Sequence, residues 1–265
     1  MKKILFVLLV SLTFVSTGCI NILEEMFLNK DGSGKYHITI DMSALMEEST
    51  RSMLQGFAQA EGAETPEAGM ELPETDTLIM LKDMPAEQRS ELSRPDFYDK
   101  VSMRIQSSEE KELLKIGFVL DFENADDIDY FLKNIDKMFD NMDTGTENPM
   151  AAMGGGGGGG MFGGMLPDSG GKDYRLFDIG KKVLKRKKAP APGDMPQEME
   201  EGMAMMKMFL AGAEYKTVYH FPGSIKSATN ADAKIDGKTL TIKTDLLKVM
   251  EGEADLSTEV KFKKR

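Results

Sequence analysis

LLKIGFVLDFENADDIDYFLKNIDKMFDNM, residues 113–142, carries a strand, a cap and a helix in succession. Leu114, Ile116, Phe118, Leu120 and Phe122 recur at every second position, so they share one face of an extended strand and need an apolar layer over it. The period changes at Asn124, a residue type that caps helix N-termini, and Asp126 and Asp127 follow where the helix dipole favours negative charge. From there Ile128, Phe131, Leu132, Ile135, Met138, Phe139 and Met142 fall at helical spacing. Asp129, Lys133, Asp136, Lys137 and Asp140 take the opposite, charged face. A one-striped helix that follows a one-faced strand is expected to lie on that strand's sheet. The fold class expected is α+β: an antiparallel sheet of hairpins with packed amphipathic helices.

Moving outward, Val101, Met103 and Ile105 alternate with Ser102, Arg104 and Gln106, so residues 101–122 read as a hairpin. Near the start, residues 21–28 read as a strand of imperfect alternation, and Lys30-Asp31-Gly32-Ser33-Gly34 is a turn. Tyr36, Ile38, Ile40 and Met42 then share a face, which gives a second hairpin. Ser43 is read as the cap of a helix over 43–60, residues 77–81 as a short strand, and 85–92 as a short helix. In the last third Tyr215, Thr217, Tyr219 and Phe221 alternate with Lys216, Val218 and His220. Asp236-Gly237 is a two-residue hairpin turn, Asp245 caps a helix over 246–250, and residues 256–263 close as a strand.

Two stretches resist this pattern. Residues 61–74 are Glu, Ala, Gly and Pro without periodicity and read as an acidic loop. Residues 143–172 contain the unbroken glycine run 154–160 with Met150, Met153, Met161 and Met165 around it. Such a tract loses much backbone entropy on ordering and buries little, so a Gly/Met-rich flexible linker is expected. It is not a phosphate loop, because it follows a helix and Gly171-Lys172 is followed by Asp173.

Residues 1–19 have the layout of an export signal. Lys2 and Lys3 precede an apolar run, residues 4–15, that is too short to cross a hydrocarbon core as a helix. Small residues lead into Cys19, the only cysteine in the chain. Ser16-Thr17-Gly18-Cys19 resembles a bacterial lipobox, with Ser where Leu is usual, and the resemblance implies lipidation at Cys19. The organisation expected is 1–18 as signal peptide, 19–142 as an N-terminal α+β part and 143–172 as linker. Residues 173–265 form a strand-rich C-terminal part that completes the same domain. Ile20, rather than Asp, after the cysteine favours the outer membrane in a two-membrane envelope.

Composition excludes several classes of function. The chain has 265 residues and a formal charge of −11, a poor match to nucleic acid. One cysteine permits no internal disulfide. His37 and His220 fall on the polar faces of their strands, and no nucleophile motif accompanies them, so no catalytic residue, cofactor or enzyme activity is implied. The acidic group at 121–129 lacks the spacing of a calcium loop, and no metal set is assigned. Two features remain. A methionine-rich helix is expected over 197–212, where Met203, Met206, Phe209 and Leu210 can face a core. Met199, Met205 and Met208 fall off that stripe and form a candidate surface for a lipid or apolar partner, or for Cu(I) through soft thioethers. The basic run Lys181, Lys182, Lys185, Arg186, Lys187 and Lys188 is a candidate contact for anionic head groups.

The export signal, the turn Asp31-Gly32-Ser33-Gly34, Phe221-Pro222-Gly223 and Asp236-Gly237-Lys238-Thr239 together resemble the LppM-like domain of bacterial lipoproteins. That resemblance implies an antiparallel α+β domain and lipid handling rather than catalysis. The expected function is therefore a non-catalytic, lipid-anchored envelope protein that binds a lipid, peptide or protein partner. A periplasmic Met-rich Cu(I) protein is the alternative.

Overall fold

The computed structural model describes residues 18, 20–48, 50, 52, 74–84, 93–140, 175–189, 207 and 210–263. The expected linker, the short helix over 85–92 and nearly all of the methionine-rich helix lie outside these residues.

The two hairpins read from alternation are present. β1 (Asn21–Leu28) and β2 (Gly34–Asp41) pair from Asn21 opposite Asp41 to Leu28 opposite Gly34. The close approach at the hairpin's open turn requires a glycine: a Cβ on Gly34 would overlap the Phe27 carbonyl oxygen and press on the Phe122 ring. β3 (Thr75–Met80), β4 (Val101–Ser108) and β5 (Leu113–Phe122) extend the sheet antiparallel, with β5 beside β2. α1 (Ala125–Asp140) begins where expected, with Asn124 Oδ1 accepting the Asp126 amide at 2.9 Å. Its Ile128, Phe131, Leu132 and Ile135 are buried, and Phe131 meets Tyr36 edge-on at 6.3 Å.

The later strands divide between two sheets. β8 (Glu214–His220), β10 (Lys234–Asp236) and β11 (Thr239–Asp245) join the first five strands in the order β10-β11-β8-β1-β2-β5-β4-β3. β6 (Phe177–Ile179), β7 (Val183–Arg186), β9 (Ile225–Ala228) and β12 (Thr258–Phe262) form a second sheet, ordered β6-β7-β12-β9. α2 (Leu246–Met250) is capped as read, Asp245 Oδ1 accepting the Leu247 amide at 2.8 Å. The second sheet and α1 cover the inner face of the first, and the buried apolar side chains form one cluster between them.

The fold is sheet-rich, and the expectation of an α+β domain with packed amphipathic helices overstates its helical part. Three departures from the expected architecture are visible. Ser43 does not cap the helix expected over 43–60: its hydroxyl accepts the Leu114 amide at 3.2 Å and residues Ser43–Met46 wind as a 3-10 turn, while Glu48, Thr50 and Ser52 are helical and residues 53–60 lie outside the described ones. The basic run contains a strand, β7. Finally, the sheet is not built of antiparallel hairpins alone. β8 lies parallel to β1, with Ile22 opposite Tyr215 and Phe27 opposite His220, on the edge that β2 leaves open.

Candidate functional site

β1 alternates imperfectly because one inward position holds a carboxylate. Ile22, Met26 and Leu28 face the core, and Glu24, in phase with them, is fully buried. The parallel register sets Glu24 beside Thr217 of β8. The next inward positions on that strand are Tyr215 and Tyr219, both buried. The compensating charge comes from the other sheet. In β7, Leu184 and Arg186 point inward while Lys185 points out, and the Arg186 side chain is buried against Glu24.

The groups satisfy one another closely. Arg186 Nη1 lies 2.9 and 2.7 Å from the two Glu24 carboxylate oxygens and 2.7 Å from the Tyr219 hydroxyl. The Tyr215 hydroxyl donates to Glu24 Oε2 at 2.7 Å, and the Tyr219 hydroxyl donates to Oε1 at 2.8 Å. The Arg186 guanidinium also sits over the Phe177 ring, 5.8 Å from its centroid. Burial, and then the Glu24 charge, push the Tyr215 hydroxyl well above its ordinary value of 10. Burial does the same at Tyr219, against the lowering pull of the Arg186 charge, and Glu24 adds to the rise. Both hydroxyls therefore stay protonated and keep donating at neutral pH. A carboxylate held by a guanidinium and two phenols, with no solvent at it, is a clamp between two sheets and has no acceptor left to offer a substrate.

A second polar group fixes α1. Asp127 accepts the Glu123 amide at 3.0 Å, Lys100 Nζ at 3.1 Å and Arg94 Nη2 at 3.1 Å. Burial works to raise its carboxyl, but these donors outweigh that and hold it below the usual range. Asp129, read as part of the charged helix face, is instead buried, and it accepts the Leu176 amide at 2.9 Å. Burial raises its carboxyl.

On the outer face of the large sheet, Phe27 stacks on His220 at 4.4 Å and tilts against His37 at 5.2 Å. His37 Nε2 is buried without a hydrogen-bond partner among the described residues, and burial lowers the pKa of this imidazole from its ordinary value of 6.5.

The candidates read from sequence fall partly outside the described residues, and those inside them separate in space. Cys19 and Met199, Met205 and Met208 lie outside the described residues. Beside Cys19, Gly18 and Ile20 are both buried, and the Gly18 amide donates to the Gly212 carbonyl at 3.1 Å. The basic run does not act as one patch. Lys181 and Lys182 sit exposed in the β6–β7 turn, and Lys185 on the outer face of β7 lies opposite Glu259. Lys187 pairs with Asp178 at 3.3 Å, Lys188 is exposed, and Arg186 is turned into the core. Arg186 is thus withdrawn from the head-group contact expected of it, because it alternates in phase with Leu184. The Glu24–Arg186 pair was not among the sequence candidates; its one local signal is an acid at an inward position of β1.

No helix among the described residues is long and apolar enough to cross a membrane, and none of their acidic, His or Cys side chains cluster as a metal site. No protein-family model matches the chain, and no curated protein matches it. Among solved structures it is similar to the folded domain of the LppM protein of Mycobacterium tuberculosis, at 6% identity and a TM-score of 0.34, over 93% of this chain and 91% of that one.

Proposed function

We propose that this chain is a lipid-anchored bacterial envelope protein that binds a partner and catalyses nothing. The observation that carries the reading is the solitary Cys19 behind a charged and apolar leader. The fold adds a supporting fact: Ile20, the next residue, is already buried and β1 begins at Asn21, so a lipid on Cys19 would hold the domain with almost no tether. Two or three acyl chains make a stable anchor where one is marginal. The non-catalytic part rests on the polar cluster. Among the described residues, the Glu24 carboxylate is sealed from solvent and its oxygens are taken by Arg186, Tyr215 and Tyr219, which suits a scaffold better than a reaction centre. In a two-membrane envelope the outer membrane is the proposed location, since Ile20 replaces the retaining Asp.

The test is Cys19→Ala in a bacterial host, read by membrane fractionation and by mass spectrometry of the N-terminus. The expected result is a soluble or unprocessed species, against a wild type that carries acyl mass on Cys19. A variant still membrane-bound with its leader removed would refute the anchor.

A further inference from the structure

Three rings stand together on the outer face of the large sheet. On β1 the inward residues are Met26 and Leu28, so Glu25 and Phe27 face out. By the same alternation Lys35 and His37 face out on β2, and Val218 and His220 on β8. The registers set Glu25 opposite His37 and Val218, and Phe27 opposite Lys35 and His220. Phe27 therefore lies between the two imidazoles. It stacks on His220 at 4.4 Å with 11° between the planes, and meets His37 at 5.2 Å with a tilt of 51°. The ring is 37% exposed, and among the described residues only Leu78 and Ile235 are large apolar side chains as open as this.

The two histidines are prepared differently for a proton. His220 has a polar neighbour at each nitrogen: Thr239 Oγ1 lies 3.3 Å from Nδ1, and Glu25 Oε1 lies 3.7 Å from Nε2. His37 Nε2 is buried with no such neighbour among the described residues. In the neutral ring this nitrogen is a lone pair, with the proton on Nδ1. A proton on Nε2 makes it a cationic donor that meets no acceptor, and an unmatched buried charge is costly. Burial is the largest influence on this imidazole and disfavours its charge, as does Lys35 on its own strand. Glu25 on β1 and Asp121 on β5 favour the charge. Asp121 is engaged by Lys35 at 2.7 Å, which leaves Glu25, directly across the β1–β2 pair, as the carboxylate that can turn to His37.

We propose that Phe27, His37 and His220 form an acid-sensitive latch, in which a proton on His37 frees the Phe27 ring from between the imidazoles and lays it open on the sheet. The charged Nε2–H needs Glu25 or water, and reaching either one displaces the ring packed against it. When Glu25 turns to His37 it leaves His220, whose stack on Phe27 loses its other support. The change stays on the outer face, because the inward side chains of the same strands, Met26, Leu28, Tyr36 and Ile38, are buried in the core. The latch opens below 6.5, the ordinary imidazole value, since burial holds His37 neutral down to that point and past it. An apolar ring shown only in acid makes this face adhesive in acid and not at neutral pH. The inference goes beyond the reading of the chain as an anchored binding protein and does not rest on it.

The chain has two histidines, so nuclear magnetic resonance can follow each ring in the purified protein in nonionic detergent, with His37→Gln and His220→Gln assigning the signals. The pH is lowered from about 8 to 5, the range in which imidazoles titrate. Overhauser contacts from Phe27 to both imidazoles should fade in step with protonation of His37, below 6.5, while the core contact between Tyr36 and Phe131 persists. In His37→Gln the contact between Phe27 and His220 should hold throughout. Phe27→Ala uncovers Nε2 and should raise the His37 midpoint toward 6.5; Glu25→Gln removes a carboxylate that favours the charge and should lower it. If His37→Gln does not fold, these two midpoints decide. Four results would overturn the latch: His37 charged with its Phe27 contact intact, the same fading in His37→Gln, a midpoint unmoved by Phe27→Ala or Glu25→Gln, or loss of the Tyr36–Phe131 contact in the same step, which would mean that the whole fold opens.

Discussion

Removing both halves of the Glu24–Arg186 clamp should cost the fold far less than the sum of removing each alone. Glu24 is 0% exposed and Arg186 2%, so either charge left alone stays out of water. Breaking such a pair from one side costs about 3–5 kcal/mol, mostly the desolvation of the survivor. For a domain of this size about 1 kcal/mol moves the melting temperature by roughly 2–4 °C, so Arg186→Met or Glu24→Leu should lower it by about 6–20 °C. The double variant removes both charges and fills the space with apolar atoms, which is often close to neutral. Here it strands the hydroxyls of Tyr215 and Tyr219, each bonded to Glu24 at 2.7 and 2.8 Å, at about 1–3 kcal/mol apiece. The double should therefore lose about 2–6 kcal/mol, well short of the roughly 6–10 expected if the single losses added. Adding Tyr215→Phe and Tyr219→Phe should recover most of the remainder. The assay is urea denaturation followed by circular dichroism, analysed as a double-mutant cycle. Additive losses, or single variants that melt within 2 °C of wild type, would show that the pair is not an energetic clamp.

Three further outcomes follow from local geometry. Asp127, held below its usual range by Glu123, Lys100 and Arg94 against the effect of burial, stabilises the fold above about pH 3.9, the unfolded carboxylate value, and that contribution is lost as pH falls through the lower folded value. Asp127→Asn should destabilise at pH 7 and flatten the acid limb of a stability–pH curve. His37, kept neutral by burial, has the opposite charge logic but the same slope: the unfolded chain binds its proton first, so stability should fall as pH drops below about 6.5. His37→Gln should remove that step from denaturation midpoints measured between pH 7 and 5. Gly34→Ala should cost about 1–3 kcal/mol or more, because its Cβ has nowhere to go between Phe27 and Phe122. Gly117→Ala, whose Cβ would meet Thr39 Oγ1 at 3.7 Å, should be tolerated in the same thermal melt.

Much of the secondary structure was legible because its causes are local. The alternation of residues 113–122, the Asn124 cap, the Asp236-Gly237 turn and the Asp245 cap each depend on a few neighbouring residues, and each stands in the fold. What the sequence hid depends on distance. Arg186 and Glu24 are 162 positions apart, so nothing beside Arg186 marks it off from the lysines around it. The parallel β1–β8 pairing was equally hidden, since an open strand edge does not record which strand will fill it. Asp129 looked like a surface residue because helical spacing assigns it the charged face; the Leu176 amide, just before β6, donates to it there. Ser43 misled for a related reason, since its hydroxyl is taken by the Leu114 amide of β5.

The clamp and the placement of the β6–β7 turn are linked through the register of β7. A slip of one residue would turn Arg186 outward and bring Lys185 or Lys187 toward Glu24, whose buried carboxylate would then lose the nitrogen that meets both of its oxygens. Lysine offers a point charge in place of that arrangement, and its partner Tyr219 would lose its own contact with Nη1. The penalty for leaving Glu24 unmatched thus selects one register against its neighbours, a role in specificity that net stability alone would not reveal. Once Arg186 is placed, the pairing of β6 with β7 from Phe177 opposite Arg186 to Ile179 opposite Leu184 is set as well. That pairing fixes where the intervening turn falls, and with it the position of Lys181 and Lys182 beside Phe262 and the β1–β2 turn. A buried charge near the middle of the domain therefore decides which lysines reach its surface together.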